Sequence, residues 1–481
     1  MRLRDLISKL QDLGLLNTID AEVDWNLEMA AVDAMNGRLG GPALFFTNVK
    51  GYPGQSILAH QFAGTWERPW RNLNIALDLP ADAGWAELLD EMWRRFQAPI
   101  KPLIVSTGPC KDNKAFGKDV DLFQFPWPFM HQGDGGRYVT FSAGITKSLN
   151  IDWTNWGNYR HQVQSKTKIS TQIGASQHIG YMYLQEYEKS SLSMPACIAI
   201  GGPVEALLVS STKIPFGVSE VDWVGALAQE PVELVKAETN DLLVPADAEI
   251  VIEGEYRPYE RMDEGPFGEF FGYMHGPRMP RPVFRAHCIT WRNNPIIPTQ
   301  LAEGLPGSGS LFGIGRIVMS YQFAIVMKAL GAYARHLTAK NGFLPGIMLP
   351  PGVPPEFVAR RAEGMPVFQW FNAYFVGGKD TDLDDSGDVI EALFCKAHPN
   401  KYYSSDEDLP KTSTSVYQTP EERKKGYSAK WWVDTTWPLH WTPEKIPQKV
   451  TFENSFPREV QEWVAQSWRR LGLEGEPRLK R

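Results

Sequence analysis

Two glutamates that flank a rigid segment, Glu264-Gly-Pro-Phe-Gly-Glu269, are the clearest candidates for acid–base chemistry in this sequence. The proline and glycines between them restrict the backbone, so one carboxylate can orient a partner while the other donates a proton. A second segment, Asn155-Trp-Gly-Asn-Tyr-Arg160, adds an amide oxygen and a guanidinium that suits capture of a carboxylate. On spacing alone, the alternative interpretations are an exposed acidic turn for the first segment and an ordinary surface loop for the second, and the surface loop is the commoner case.

A histidine and a third glutamate could supply metal ligands. His178 lies in Gln177-His178-Ile179-Gly180, and Glu220 lies in Gly217-Val-Ser-Glu220-Val-Asp222. With Asn155 they form an oxygen and nitrogen donor set that suits Mn²⁺ or a similar divalent ion. Spacing does not show that the three meet, and a lone histidine is more often structural.

The common nucleotide and hydrolase motifs are absent. No H-E-x-x-H or Walker A motif occurs, and the glycine-rich segment 304–315 fails G-x-G-x-x-G because Phe312 and Val318 replace the third glycine. His178 replaces the last glycine of a nucleophile elbow at Gly174-Ala-Ser176. Classical dinucleotide, NTPase and serine-hydrolase functions therefore lose support.

Composition limits the binding partners and the cellular compartment that we expect for this protein. The chain has 481 residues and a formal net charge of −7, which disfavours nucleic acid and anionic lipid as partners. Its four cysteines form no C-x-x-C pair, so we expect neither a disulfide framework nor a thiolate metal site. The charged N-terminus and the lack of a long apolar run predict a cytoplasmic protein that does not span a membrane.

The elements that must position these residues follow from hydrophobic periodicity. Leu3 to Leu13 repeats at helical spacing before Gly14, a second helix runs from about Leu27 to Gly40, and Ala43–Phe46 is an apolar strand. From 118 to 305 short β-rich runs predict a mostly antiparallel sheet or barrel, with Pro282–Trp291 and Pro295–Leu301 forming a hairpin around Asn293-Asn294.

The C-terminal part of the sequence predicts further elements. An apolar helix should follow the glycine-rich segment as far as Leu330, and a second α/β pattern comes after it. In the last segment Ser455 should cap an amphipathic helix whose apolar face includes Val460 and Trp463. That face either packs on its own core or contacts a second subunit.

Taken in order, the motifs resemble those of the UbiD family, the decarboxylases that use prenylated FMN. The motifs that carry the resemblance are Gly108-Pro-Cys-Lys, Asp119-Val-Asp121, Asp134-Gly-Gly-Arg-Tyr-Val-Thr140, Asn155-x4-Arg160, Gln177-His178-Ile179, Pro215-x4-Glu220, Glu238-Thr-Asn-Asp241 and Glu264-Gly-Pro-Phe-Gly-Glu269. Each is weak alone, but their order and spacing are specific, and the resemblance covers nearly the whole chain.

The resemblance implies an α/β (α+β) fold with four parts. An N-terminal α/β domain (1–115) precedes a split β-barrel domain that binds prenylated FMN (116–305). A C-terminal α/β domain (306–450) and a helical segment (451–481) follow, and the last of these is a possible oligomer contact.

The resemblance also implies roles for particular residues. Arg160, Glu264 and Glu269 match the family's catalytic set, and Asn155, His178 and Glu220 match ligands of a divalent metal, usually Mn²⁺, that bridges to the flavin phosphate. K⁺ is a further expected cation. The matched positions that line the cofactor, beyond these ligands and Arg160, are Thr140, Gln177, Ser210 and Ser211.

The implied activity is reversible, non-oxidative decarboxylation of an aromatic, heteroaromatic or α,β-unsaturated carboxylic acid through a covalent adduct with prenylated FMN. The alternatives are a physiological carboxylase of the same class and an FMN-dependent oxidoreductase. Expected partners are the small-molecule acid, a flavin prenyltransferase that supplies the cofactor, and further copies of the chain in a dimer or hexamer.

Overall fold

The computed structural model describes residues 1–299 and 333–472, apart from short gaps. The gaps are 63, 66–67, 69, 176, 213, 270–273, 276–277, 340–341, 350–352, 364–372, 379, 382–385, 406–408, 411–416, 448 and 451. The predicted glycine-rich segment at 304–315 and the helix expected to end at Leu330 lie outside the described residues.

Helices and strands alternate at both ends of the chain, and strands dominate the middle. The helices are α1 (Leu3–Asp12), α2 (Glu28–Arg38), α3 (Arg71–Ala76), α4 (Trp85–Phe96), α5 (His178–Tyr181), α6 (Val204–Ser210), α7 (Glu220–Ala228), α8 (Pro355–Glu363), α9 (Ser386–Glu391), α10 (Pro420–Lys425), α11 (Phe452–Ser455) and α12 (Arg458–Ser467). The strands of the N-terminal and central parts are β1 (Leu16–Ile19), β2 (Ala43–Phe46), β3 (Ser56–Ala59), β4 (Leu103–Ile104), β5 (Asn113–Phe116), β6 (Tyr138–Val139), β7 (Ser142–Lys147), β8 (Thr154–Gly157), β9 (His161–Val163), β10 (Lys168–Thr171), β11 (Met194–Gly201), β12 (Glu233–Lys236), β13 (Leu243–Pro245), β14 (Ala248–Glu264), β15 (Phe267–Gly268), β16 (Met274–His275), β17 (Met279–Trp291) and β18 (Ile296–Pro298). Those of the C-terminal part are β19 (Tyr333–Ala339), β20 (Gly342–Met348), β21 (Ala373–Gly377), β22 (Tyr402–Ser404), β23 (Leu409–Pro410), β24 (Tyr427–Ser428) and β25 (Trp431–Asp434).

The N-terminal helix forms where its apolar spacing predicts. Leu3, Leu6, Ile7 and Leu10 of α1 are buried, and Gly14 has a φ of 67°, a conformation that glycine adopts without steric cost. The predictions of a helix after Leu27 and of a strand over Ala43–Phe46 are also confirmed.

The predicted hairpin after β17 is wrong. Residues 296–298 form β18, which pairs in parallel with β3 and completes a four-stranded sheet of order β1-β2-β3-β18. Both edges of β17 are already occupied, one by β14 and the other by β5 and β10, so no edge is left for a returning strand. All three residues of β18 are buried, as in a strand of a covered sheet.

The central part is a nine-stranded sheet in which every pairing is antiparallel, which confirms the prediction for this region. Its order is β6-β9-β10-β17-β14-β11-β7-β8, with β5 paired to β17. The long β14–β17 ribbon bends at register shifts after Glu253 and Tyr256. Among the described strands the sheet stays open between β6 and β8, which is compatible with a split barrel.

One hydrophobic cluster joins the N-terminal part to the central sheet. It contains Leu6 of α1, Leu58 of β3, Ala199 of β11 and Val251 of β14. Burial of apolar surface therefore stabilises these two parts jointly rather than separately.

The C-terminal part holds a mixed sheet of order β19-β20-β21-β25-β22. Helix α12 forms as predicted, but Pro457 rather than Ser455 is its N-cap, because Ser455 is the last residue of α11. Val460 and Trp463 on α12 are exposed. No helix in the described part of the chain combines the length and apolarity that a membrane crossing requires.

Candidate active site

The structure brings Arg160, Glu264 and Glu269 into one buried cluster. Arg160 immediately precedes β9, and Glu264 is the last residue of β14. The guanidinium donates from Nε to Glu264 Oε1 and from Nη2 to Oε2, both at 2.9 Å, and its Nη1 donates to Glu269 Oε1. Side-chain exposure is 9% for Arg160, 1% for Glu264 and 9% for Glu269. Since Arg160 is forked and planar, one cation orients two carboxylates.

The electrostatics of this cluster keep Arg160 charged. Burial alone would lower the pKa of Arg160, but the negative charges of Glu269 and Glu264 outweigh burial and raise it above its ordinary value. The ring of Phe267 lies 5.0 Å from the guanidinium carbon, a cation–π distance. The site therefore presents a permanent cation beside two carboxylates.

Tyr138 is a third partner of Glu264. Its hydroxyl donates to Glu264 Oε1 at 3.0 Å, and its ring lies 4.5 Å from that of Phe267. Burial, and next the charge of Glu264, raise the pKa of this phenol above its ordinary range. The hydroxyl is thus a fixed donor at any working pH.

The Gln162 side chain and one backbone hydrogen bond hold the segment that carries the two glutamates. Gly265 N donates to Gln162 Oε1 at 2.9 Å, and Gln162 Nε2 donates to Gly135 O at 2.7 Å. Gly135 N in turn donates to Pro266 O at 2.8 Å. Gln162 lies two residues from Arg160, so the same short stretch places the guanidinium and its carboxylate partners.

The Asp134 carboxylate hydrogen-bonds to the same segment, at Gly268, and to His131. Its Oδ1 accepts from Gly268 N at 2.8 Å, and its Oδ2 accepts from His131 N at 3.0 Å. A Cβ at Gly135 would lie 2.1 Å from Gly265 O, so only glycine allows this close approach. The Asp134-Gly135 turn is therefore part of the support of the site.

The proposed metal ligands belong to three elements that meet. Asn155 is in β8, His178 is the first residue of α5, and Glu220 is the first residue of α7. Trp156 N donates to Glu220 Oε2 at 2.9 Å, which ties α7 to β8, and His178 Nδ1 lies 3.6 Å from Glu220 Oε1. Asn155 Nδ2 donates to the buried hydroxyl of Tyr159 at 3.3 Å.

No cluster of three or more His, Cys, Asp or Glu side chains occurs at metal-binding spacing in the described residues. The expected donor set contains only two such residues, since its third ligand is Asn155. The structure thus brings His178 and Glu220 together. Among the described residues it contains no other cluster of His, Cys, Asp or Glu side chains that could bind a metal.

The remaining predicted positions lie in different surroundings. Thr140 is buried, and its hydroxyl has no hydrogen-bond partner. Ser211 Oγ accepts from Asn158 Nδ2 at 3.3 Å, and Ser210 Oγ donates to Leu207 O within α6. Gln177 is exposed, and its Oε1 accepts from Gly174 N at 2.6 Å. The contacts of Gln177 therefore stay within its own loop.

Comparison with known proteins identifies the family. The model of the 3-octaprenyl-4-hydroxybenzoate carboxy-lyase N-terminal domain matches residues 7–92, and that of the Rift-related domain matches residues 103–306, together more than half of the chain. The chain belongs to the UbiD family. A phenolic acid decarboxylase of Bacillus subtilis is 32% identical over 70% of this chain and 71% of the relative.

Two further relatives align almost end to end. A pyrrole-2-carboxylic acid decarboxylase of Pseudomonas aeruginosa is 27% identical over 98% of both chains. An evolved dimeric form of the UbiD-class enzyme HmfF from Pelotomaculum thermopropionicum, solved in complex with prFMN, has a TM-score of 0.75 at 24% identity. It covers 95% of this chain and 100% of that one. This UbiD protein is accordingly a carboxy-lyase with the fold of the family.

Reasoning from the sequence missed three residues that support this candidate site. Tyr138 and Asp134 lie in the Asp134-Gly-Gly-Arg-Tyr motif, which contributed to the resemblance but received no role. Gln162 lies two residues after Arg160 and carried no signal of its own. The available clue was the glycine pair beside Asp134, because adjacent glycines often mark a close backbone approach.

Proposed function

We propose that this chain is a prenylated-FMN-dependent decarboxylase of an aromatic, heteroaromatic or α,β-unsaturated carboxylic acid, acting reversibly. The observation that carries the proposal is the buried Arg160 fork shared by Glu264 and Glu269. The names of the relatives support the substrate class, since two of them act on a pyrrole carboxylic acid and on phenolic acids. A solved relative in complex with prFMN supports the cofactor.

The central sheet offers polar groups that a bound flavin would satisfy. Thr140 Oγ1, Ser142 Oγ, Asn158 Oδ1 and Gln172 Oε1 are buried and have no hydrogen-bond partner. A buried polar atom without a partner costs about 1–3 kcal/mol, so each of these atoms would gain from a hydrogen bond to a polar ligand. When bound, prenylated FMN would supply the electron sink that loss of CO₂ from an sp² carbon requires.

The metal fits the donor set of Asn155, His178 and Glu220. His178 Nδ1 and Glu220 Oε1 lie 3.6 Å apart, close enough for both side chains to hold one ion. Oxygen and imidazole donors suit Mn²⁺ or a similar divalent ion. These residues would hold the ion that anchors the flavin phosphate, with K⁺ as a second cation nearby.

The chain's own residues divide the acid–base work. Arg160 would bind the substrate carboxylate, and its two bonds to Glu264 keep its plane fixed while it does so. In its protonated form Glu269 would give its proton to the carbon that has lost CO₂, which leaves Glu269 as the carboxylate that pairs with Arg160. In the carboxylation direction that carboxylate would take the proton from the carbon. The side chains of Glu264 and Glu269 are 1% and 9% exposed, which limits the access of bulk water to the proton.

The proposal includes a homo-oligomer, either a dimer or a hexamer. Val460 and Trp463 of α12 leave an apolar face exposed, and burying large apolar side chains is what a subunit contact achieves. A flavin prenyltransferase would supply the cofactor, and we place the enzyme in the cytoplasm.

The test is co-expression with a flavin prenyltransferase, followed by turnover of a panel of aromatic and unsaturated acids. We expect the wild type to release CO₂ from at least one acid and to contain prenylated flavin with Mn²⁺. Glu269→Gln should retain the flavin but lose turnover at least about 100-fold, within the range for loss of a general acid.

Glu260→Gln is the matched control, because Glu260 also pairs with an arginine, Arg285, on the β14–β17 ribbon but lies outside the cluster. It should keep near-normal turnover. A Glu269→Gln enzyme with normal activity would remove Glu269 as the proton donor. Nicotinamide oxidation with plain FMN would instead favour the oxidoreductase.

A further inference from the structure

Tyr138 contacts the site through a hydroxyl that neither acid–base chemistry nor metal binding uses. The residue is fully buried in β6, and its hydroxyl lies 3.0 Å from Glu264 Oε1 and 3.3 Å from Pro266 O. With the two bonds from Arg160, Glu264 accepts three hydrogen bonds, two of them at Oε1.

The three donors approach Glu264 from two different strands. Arg160 precedes β9, whereas Tyr138 is in β6, and these strands pair with Tyr138 opposite Gln162 and Val139 opposite His161. Donors on two separate residues fix both the position and the plane of the Glu264 carboxylate. A single arginine fork fixes only the geometry between the guanidinium and the carboxylate. The hydroxyl therefore adds a constraint that the Arg160 fork does not provide.

We infer that Tyr138 is a positioning residue: its hydroxyl fixes the plane of Glu264, and through Glu264 it orients the Arg160 guanidinium that binds the substrate carboxylate. The effect on turnover rests on the proposed function, whereas the coupling between Tyr138 and Glu264 does not. Packing alone does not explain the residue, because phenylalanine would keep the ring contact with Phe267 at 4.5 Å and lose only the hydroxyl.

The test is Tyr138→Phe in the cofactor-loaded enzyme, with kinetics expressed per bound flavin. Loss of one hydrogen bond to a charged group should lower kcat/KM about 10- to 100-fold. Part of this loss should appear as a higher KM, because a loosened Arg160 binds the substrate carboxylate less well. Partial unfolding would lower kcat alone and leave KM unchanged.

Tyr187→Phe is the matched control. Tyr187 is also buried and donates its hydroxyl at 3.1 Å, but to Lys147 O, away from the cluster. It should leave kcat/KM within about twofold of wild type. A Tyr138→Phe enzyme that behaves like this control would overturn the inference.

A double-mutant cycle gives a readout that needs no substrate. Urea unfolding of the wild type, Tyr138→Phe, Glu264→Gln and the double variant should give a coupling of at least about fivefold in the unfolding constant. Strict additivity would overturn the contact whatever the activity shows. If the wild type turns over no acid while the coupling is present, the proposed function fails and the positioning of Glu264 stands.

Discussion

Replacing Arg160 with lysine tests the central feature of the site. Arg160 makes three charge-assisted hydrogen bonds to two carboxylates, and a lysine ammonium, which has no planar fork, cannot reproduce the two parallel bonds to Glu264. Each such bond contributes about 1.5–3 kcal/mol, so losing two costs at least about 3 kcal/mol. At about 1.4 kcal/mol for each tenfold change, kcat/KM should fall at least about 100-fold.

The assay is CO₂ release by enzyme co-expressed with a flavin prenyltransferase, normalised to bound flavin. Arg285→Lys is the matched control, because Arg285 makes the same two-pronged contact with Glu260 but is 32% exposed. Its loss should cost less than about 1 kcal/mol and leave turnover intact. If Arg160→Lys kept more than half of the wild-type kcat/KM with flavin bound, the forked geometry would not matter and the reasoning would be refuted.

Three further outcomes follow from the site and its surroundings. Glu220→Ala should lose Mn²⁺ and flavin together, as read from metal content and visible absorbance, and an intact flavin spectrum would count against the metal site. Gly135→Ala should lower turnover about 100-fold while the circular dichroism spectrum stays native, because the added Cβ would meet Gly265 O. Gly84→Ala is the control and should be tolerated, because a Cβ there would have nothing within 4 Å. Burial lowers the pKa of His161 to about 3, so His161 stays neutral in the folded state between about pH 6.5 and 3. In the unfolded state the same side chain binds a proton below about pH 6.5. Stability should therefore fall by up to about 1.4 kcal/mol per pH unit from about 6.5 towards 3, and urea midpoints of His161→Gln should show a shallower slope.

Local periodicity predicted those parts of the fold that depend on neighbours in the sequence. The leucines of α1, the stop at Gly14 and the apolar strand Ala43–Phe46 all form as expected. The hairpin after β17 failed because a turn at Asn293-Asn294 does not reveal that β5 already occupies the adjacent edge. Pairing between strands distant in sequence is decided by tertiary contacts.

The site shows the same limit. Arg160 and Glu264 are 104 residues apart, and only the resemblance to a family suggested that they act together. Spacing did indicate that Glu264 and Glu269 share a rigid segment, and the structure places both on one guanidinium. Tyr138 and Gln162 could not be predicted, since a single tyrosine or glutamine in a strand is ordinary until its partner is known.

The parallel pairing of β18 with β3 has a consequence for synthesis on the ribosome. β3 ends at Ala59, yet the strand that covers its edge ends at Pro298, so translation at about 5–20 residues per second leaves roughly 10–50 s between the two. During that interval the nascent chain carries an open, apolar strand edge of the kind that recruits other chains. The first sheet of the enzyme can therefore close only after most of the central sheet has been synthesised.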